Sequence, residues 1–129
     1  MKHAITEYVQ LDVETERWEC IRCGHDIGPA SASYKEGLLV AARDPAEIWQ
    51  PEIDAAYTFA YDRDWARVVE FYCPGCATLV EVELLPPGHP ITDDIRVDVD
   101  ALRRRDRERS AADAERSAAD AARRREVGR

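Results

Sequence analysis

The sequence predicts a small, β-rich α+β protein with one short helix and a long C-terminal helix, and three features carry that expectation. Short runs of alternating apolar or β-branched residues recur along the first two thirds of the chain. Two Cys-x-x-Cys turns, CIRC at residues 20–23 and CPGC at 73–76, sit against such runs. After residue 100 the composition changes to Ala, Arg, Asp and Glu, with neither Gly nor Pro until Gly128.

Taken in order, residues 5–13 (ITEYVQLDV) place Val9, Leu11 and Val13 at alternate positions, the period of a strand with one buried face, and this is expected to be the first strand. Gly24 follows the first Cys pair, where it can take the positive φ that a tight turn needs, and Gly28 with Pro29 is expected to close that loop. The run LLVAA within residues 34–42 is short enough for a buried strand. Asp44 and Pro45 form an N-cap and N1 pair that opens a short helix near residues 45–50, with Ile48 and Trp49 expected to pack it onto the body. Residues 50–66 mix Pro, acids and aromatics and predict a partly ordered excursion. RVVEFY at 67–72 and TLVEVELL at 78–85 flank CPGC and predict a hairpin with the Cys pair at its tip. PPGHP at 86–90 ends the sheet, since Pro has no amide to donate. The heptad ERSAADA occurs at 108–114 and again at 115–121; Ala and mixed charges favour a helix, but with only Ala for a seam it is a solvated one. The expected organisation is a domain over residues 1–100 and a helical tail over 101–129.

The chain of 129 residues suffices for one modest core. Its net charge of −8 divides unevenly: residues 1–100 carry 8 basic and 20 acidic side chains, whereas 101–129 carry 10 Arg and 6 acids. An acidic body argues against nucleic acid as its ligand, because that affinity depends on Lys and Arg displacing counterions. The N-terminus lacks the apolar core of a signal peptide and no stretch reaches membrane-spanning length, so the expectation is a soluble, cytoplasmic protein with no membrane partner.

In that compartment thiols stay reduced, and paired cysteines point to metal or redox chemistry before disulfides. A Cys-x-x-Cys turn lets two thiolates reach one ion, so Cys20, Cys23, Cys73 and Cys76 are the candidate ligands of a single structural Zn2+ in a zinc-ribbon-like domain. The 49 residues between Cys23 and Cys73 exceed the usual spacing, but lengthening a loop from about 18 residues to that length costs only about 0.9 kcal/mol, against on the order of 10 kcal/mol for a structural zinc site. Iron in a rubredoxin-like site is the main alternative, since thiolates bind either metal. A thioredoxin-like pair is disfavoured because neither turn opens a helix. His25 lies near the first pair, but four cysteines complete a tetrahedron, and a place beside the site or facing solvent is expected for it.

No other chemistry is legible: there is no G-x-S-x-G, P-loop or Gly-rich dinucleotide turn, and no catalytic or cofactor-binding residue is assigned. His3 near the terminus and His89 in its Pro-flanked turn read as structural or exposed, and Asp93 with Asp94 as a solvated loop.

The ordered blocks WECIRCGHDIGPA, YKEGLLVAARDPAEI and EFYCPGCATLVEVELLPPGHPITDDIRVDVD together resemble the small gamma subunit of acetone carboxylase and related ketone carboxylases. The resemblance covers most of residues 18–100 and leaves out the Ala/Arg-rich tail. It implies a noncatalytic zinc-binding subunit in a hetero-oligomer, whose large hydantoinase- and oxoprolinase-like subunits perform ATP-dependent carboxylation of a ketone, acetone or an aryl ketone such as acetophenone. It also implies the same four cysteines as zinc ligands. The competing expectations are a free-standing zinc-ribbon adaptor or regulator with a basic docking tail, and a rubredoxin-like electron carrier.

Overall fold

A computed structural model of the chain describes residues 1–49 and 59–127. Residues 2–96 form one compact unit, and residues 97–129 with Met1 form another. The excursion expected at residues 50–66 lies outside the described residues over 50–58.

The first unit contains two antiparallel sheets, each a simple meander. In one, β1 (Lys2–Ala4), β2 (Val9–Asp12), β3 (Arg17–Cys20) and β4 (Asp26–Pro29) pair in chain order. The other has β5 (Leu39–Arg43), β6 (Arg67–Tyr72) and β7 (Leu79–Leu85), again in order. The expected strand around Val9 is therefore the second, because Lys2–Ala4 pairs with Gln10–Asp12 ahead of it. Gly28 and Pro29 do not close a loop: Gly28 pairs with Trp18 and Pro29 with Arg17, so both lie within β4. Pro29 is tolerated there because β4 is an edge strand.

The apolar run of β5 forms a strand but is not buried; Leu39 is 57% and Val40 50% exposed. Position explains this, since β5 is an edge strand with a neighbour only on its β6 side. The hairpin of β6 and β7 matches the expectation from sequence, and its central strand supplies much of the core: Val68, Val69 and Phe71 are buried, as Glu70 is. Val9, Leu11, Trp18 and Tyr34 are buried as well.

Asp44 caps α1 (Pro45–Ile48), its side chain accepting a hydrogen bond from the Ala46 amide, with buried Pro45 at N1. Ile48 and Trp49 do not enter the core; they stay 40% and 37% exposed, and Trp49 meets Tyr61 edge-on with ring centroids 5.3 Å apart. The helix is one turn long and cannot turn both residues inward. In the second unit, α2 spans Val99–Val127, about 43 Å at 1.5 Å per residue. Asp98 caps it by accepting from the Ala101 amide at 2.9 Å, and its side chains are exposed from Arg107 to Glu126. Asp100–Arg103 and Asp113–Arg116 pair along it, local support suited to a helix that is polar nearly all round. Among the described residues, no helix is long and apolar enough to cross a membrane.

A short 3-10 turn, Tyr34–Gly37, ties the two sheets together. Tyr34 packs its ring edge-on against Trp18 of β3, at 5.7 Å between centroids, and donates its hydroxyl to Glu81 of β7. Beside it the Lys35 ammonium, its side chain 2% exposed, binds Glu83 of β7, Asp94 Oδ1 at 2.8 Å and the Thr92 carbonyl at 3.0 Å, with Glu81 Oε1 at 3.5 Å. It also lies over the Phe71 ring, 5.7 Å from its centroid. Burial works against the charge on Lys35, but hydrogen bonds to Asp94 and Glu83 outweigh it and raise its pKa; the same contact lowers that of Asp94. Asp94, expected to be a solvated loop residue, is thus part of this clamp, and Asp93 pairs with Arg96.

Removing the cation from such a buried cluster leaves carboxylates without compensation. Lys35→Met is expected to destabilise the chain by about 3 kcal/mol in denaturant unfolding, and Lys35→Met/Glu83→Met to recover part of that loss.

Candidate metal centre

Each Cys pair occupies the tip of a hairpin, CIRC between β3 and β4 and CPGC between β6 and β7. The two tips repeat one backbone design. The Gly24 amide donates to the Cys20 carbonyl and the Ala77 amide to the Cys73 carbonyl, both at 2.8 Å. The Cys20 amide donates to the His25 carbonyl at 2.9 Å, and the Cys73 amide to the Thr78 carbonyl at 3.0 Å. Gly24 has φ 74°, as its sequence position predicts, and Ala77 takes the matching φ of 57° despite its Cβ.

These turns bring all four sulfurs within 4.8 Å of one another. Cys20 and Cys76 Sγ lie 3.9 Å apart and Cys23 and Cys73 Sγ 3.7 Å apart. A tetrahedral thiolate site with metal–sulfur bonds of about 2.3 Å has edges of about 3.8 Å, so the cluster has the size needed to hold one metal ion. It is far too open for disulfides, whose sulfurs sit about 2.05 Å apart, and all four thiols are free. Cys20 and Cys73 are buried at the ends of β3 and just past β6, while Cys23 and Cys76 face solvent. The inner pair belongs to the core and the outer pair closes over it. Backbone amides support the sulfurs directly, as where Gly75 N–H donates to Cys73 Sγ at 3.4 Å.

Crowding spreads the acidities of the thiols. Cys76 is drawn down to about 6, first by the Thr78 hydroxyl and then by the Thr78 amide. Cys23 receives a hydrogen bond from the His25 backbone that draws it down, yet burial and the neighbouring sulfurs of Cys73, Cys76 and Cys20 push it up to about 12. Burial raises Cys73. Four thiolates at these distances need a cation among them, which is the condition a metal satisfies by displacing their protons.

The sequence-predicted ligands thus converge, and no histidine side chain belongs to their cluster among the described residues. His25 lies against Gly75: a Cβ at residue 75 would come within 2.8 Å of His25 Cβ and 3.1 Å of Cys23 Sγ. Glycine is needed there because the second tip passes too close to the first for any side chain. His89 is exposed, its Nδ1 2.8 Å from the Pro90 carbonyl oxygen and its own carbonyl accepting from Arg67. A second acidic group, Glu81, Glu83 and Asp94, is also mutually close, but the Lys35 ammonium already serves as its cation. Sequence reading missed this clamp. Its signal was present in Glu81 and Glu83, two acids at alternate positions of a strand that must share one face.

Two antiparallel meanders that join their hairpin tips through four cysteines define a zinc-ribbon-like protein with a capacity for one metal ion. A family model described as the acetone carboxylase gamma subunit matches residues 3–107, and the chain belongs to that family. It is 54% identical over 100 residues to a protein named the acetophenone carboxylase beta subunit of Aromatoleum aromaticum, covering 78% of each chain. It is also 29% identical over 80 residues to the acetone carboxylase gamma subunit of Xanthobacter autotrophicus, covering 60% of this chain and 45% of that one, less than half the length of that relative.

The close approach at residue 75 separates spacing from simple strain. Gly75→Ala is expected to push the tips apart and weaken metal affinity about ten- to hundredfold in a chelator competition. Gly24→Ala meets no atom within 4 Å and is expected to cost only the left-handed backbone strain, about 1–2 kcal/mol in unfolding, with a smaller change in affinity.

Proposed function

We propose that this chain is a small noncatalytic subunit of an ATP-dependent ketone carboxylase, holding one structural Zn2+ through Cys20, Cys23, Cys73 and Cys76 and assembling with large hydantoinase-like subunits that carry the nucleotide and substrate. The observation that carries the reading is 54% identity, over 78% of the chain, to a protein named as a subunit of acetophenone carboxylase. The ratio of that identity to the 29% shared with the acetone carboxylase subunit favours an aryl ketone over acetone as the substrate of the complex.

The donor set supports zinc in a structural role. Four thiolates fill a tetrahedron and leave no open position for water or a carbonyl, so a zinc ion bound there supplies folding energy and not Lewis-acid chemistry. What the chain's own residues do is hold two hairpin tips at one separation: the buried Cys20 and Cys73 from within, Cys23 and Cys76 from the solvent side. Residues 1–100 are then the subunit's folded domain and 101–129 a helical arm, within a soluble cytoplasmic complex.

Two measurements test this. Purification of the chain from its native host at low salt, with mass spectrometry of what accompanies it, is expected to recover two large hydantoinase-like subunits together with ATP- and bicarbonate-dependent carboxylation of acetophenone; recovery of the chain alone would refute the assignment. Metal analysis is expected to find one zinc per chain, and Cys73→Ser to lose that zinc and its melting transition together; iron in the native protein, or a Cys73→Ser chain with unchanged zinc and melting temperature, would contradict the structural site.

A further inference from the structure

The two cysteines that face solvent are not equivalent. Cys76 is held by Thr78, whose hydroxyl oxygen lies 3.1 Å from the Cys76 sulfur. The Thr78 amide also donates to that sulfur, and the Thr78 carbonyl accepts from the Cys73 amide at 3.0 Å, so one residue braces both cysteines of its tip. His25 occupies the matching position of the other tip. Its carbonyl accepts from the Cys20 amide at 2.9 Å and its own amide donates to the Cys23 sulfur. There the likeness ends, because among the described residues the side chains bonded to Cys23 are the other cysteines, with Cys73 Sγ at 3.7 Å. Position 75, where a Cβ would stand 3.1 Å from the Cys23 sulfur, is glycine and adds no cover.

With a metal ion in place all four sulfurs are thiolates. Which of them reacts with an electrophile is then set by access and by the hydrogen bonds that disperse its charge. Burial withdraws Cys20 and Cys73 from solvent. Of the exposed pair, Cys76 has a hydroxyl and an amide turned on it, and Cys23 an amide alone. Cys23 is therefore the thiolate that is both reachable and least shielded.

We infer that Cys23 is a modification site, the thiolate at which hydrogen peroxide enters the cluster, and that Cys73 resolves the product into a disulfide between the two hairpin tips. This rests on the zinc-filled site proposed above. The Cys23 sulfur attacks one oxygen of the peroxide, the O–O bond breaks and hydroxide leaves, giving a sulfenic acid at Cys23. The Cys73 sulfur, 3.7 Å away, attacks the Cys23 sulfur, and the S–O bond breaks with loss of a second hydroxide. Two thiolates are thereby oxidised to one disulfide while the peroxide is reduced. Cys20 and Cys76 alone do not fill a tetrahedron, so the zinc ion is released. Because Cys23 follows β3 and Cys73 follows β6, the new bond keeps the hairpins joined after the metal is lost.

The test treats the full-length, zinc-loaded chain with hydrogen peroxide at neutral pH, following zinc release to a colorimetric chelator and mapping peptides without reduction. One zinc is expected to leave per peroxide consumed, with Cys23–Cys73 as the first disulfide. With iodoacetamide in place of peroxide, Cys23 is expected to be alkylated at least about tenfold faster than Cys76. Thr78→Val, which removes the hydroxyl with little change of volume, is expected to raise the alkylation rate of Cys76 about tenfold while Cys23 keeps its rate, and Thr78→Ser to leave both unchanged. Alkylation of Cys76 first, a first disulfide within one tip, zinc retained in a large excess of peroxide, or a Cys76 rate unmoved by Thr78→Val would each overturn the inference and leave the zinc site standing. A chain that holds no zinc when purified from its native host would remove the structural-zinc reading and the inference with it.

Discussion

The constraint on which the rest of the first unit depends is the convergence of four sulfurs within 4.8 Å from two hairpins whose inner ends are separated by 49 residues. Neither hairpin can satisfy it alone, since each tip offers two thiolates. Meeting it places the ends of β3 and β6 side by side and buries Cys20 and Cys73 as members of the core. It also demands a residue without a side chain at position 75, where the second tip passes the first. A domain of this size has a limited core, and a four-cysteine cluster able to hold a metal ion at the junction of two small sheets is a site where such an ion would add cohesion beyond apolar burial.

Tyr34 and Lys35 provide a second tie between the sheets, of different chemistry. Tyr34 touches Trp18 in one sheet and Glu81 in the other, and Lys35 gathers Glu83 and Asp94 around a buried ammonium. A cation among carboxylates is the polar counterpart of a metal among thiolates: in both, like charges are brought together and one opposite charge makes the arrangement stable. The sheets are thus held at two points, which suits a part that must present a surface of fixed shape.

That arrangement accords with a subunit of a carboxylase. The thiolate cluster has no position to offer a substrate when filled by a tetrahedral metal, and the family to which the chain belongs is named for one subunit of a carboxylase. The features left over from stability are outward-facing: aromatic rings between α1 and β6, and a helix of about 43 Å whose composition suits solvent and local ion pairs.

By itself the sequence determined the local elements and pointed to the four sulfurs that come together. Alternating residues around Val9 and in TLVEVELL set strands, Asp44-Pro45 set a helix start, Ala and paired charges set α2, and two Cys-x-x-Cys turns named the four sulfurs, because each depends on neighbours a few residues apart. The tertiary structure alone decided which elements lie at an edge, and so why the apolar LLVAA run of β5 stays half in water and why Pro29 can sit in β4. It alone decided that Lys35 meets Glu83 and Asp94, partners 48 and 59 residues away. Burial of a charge depends on what arrives from distant sequence to surround it, and no local period records that arrival.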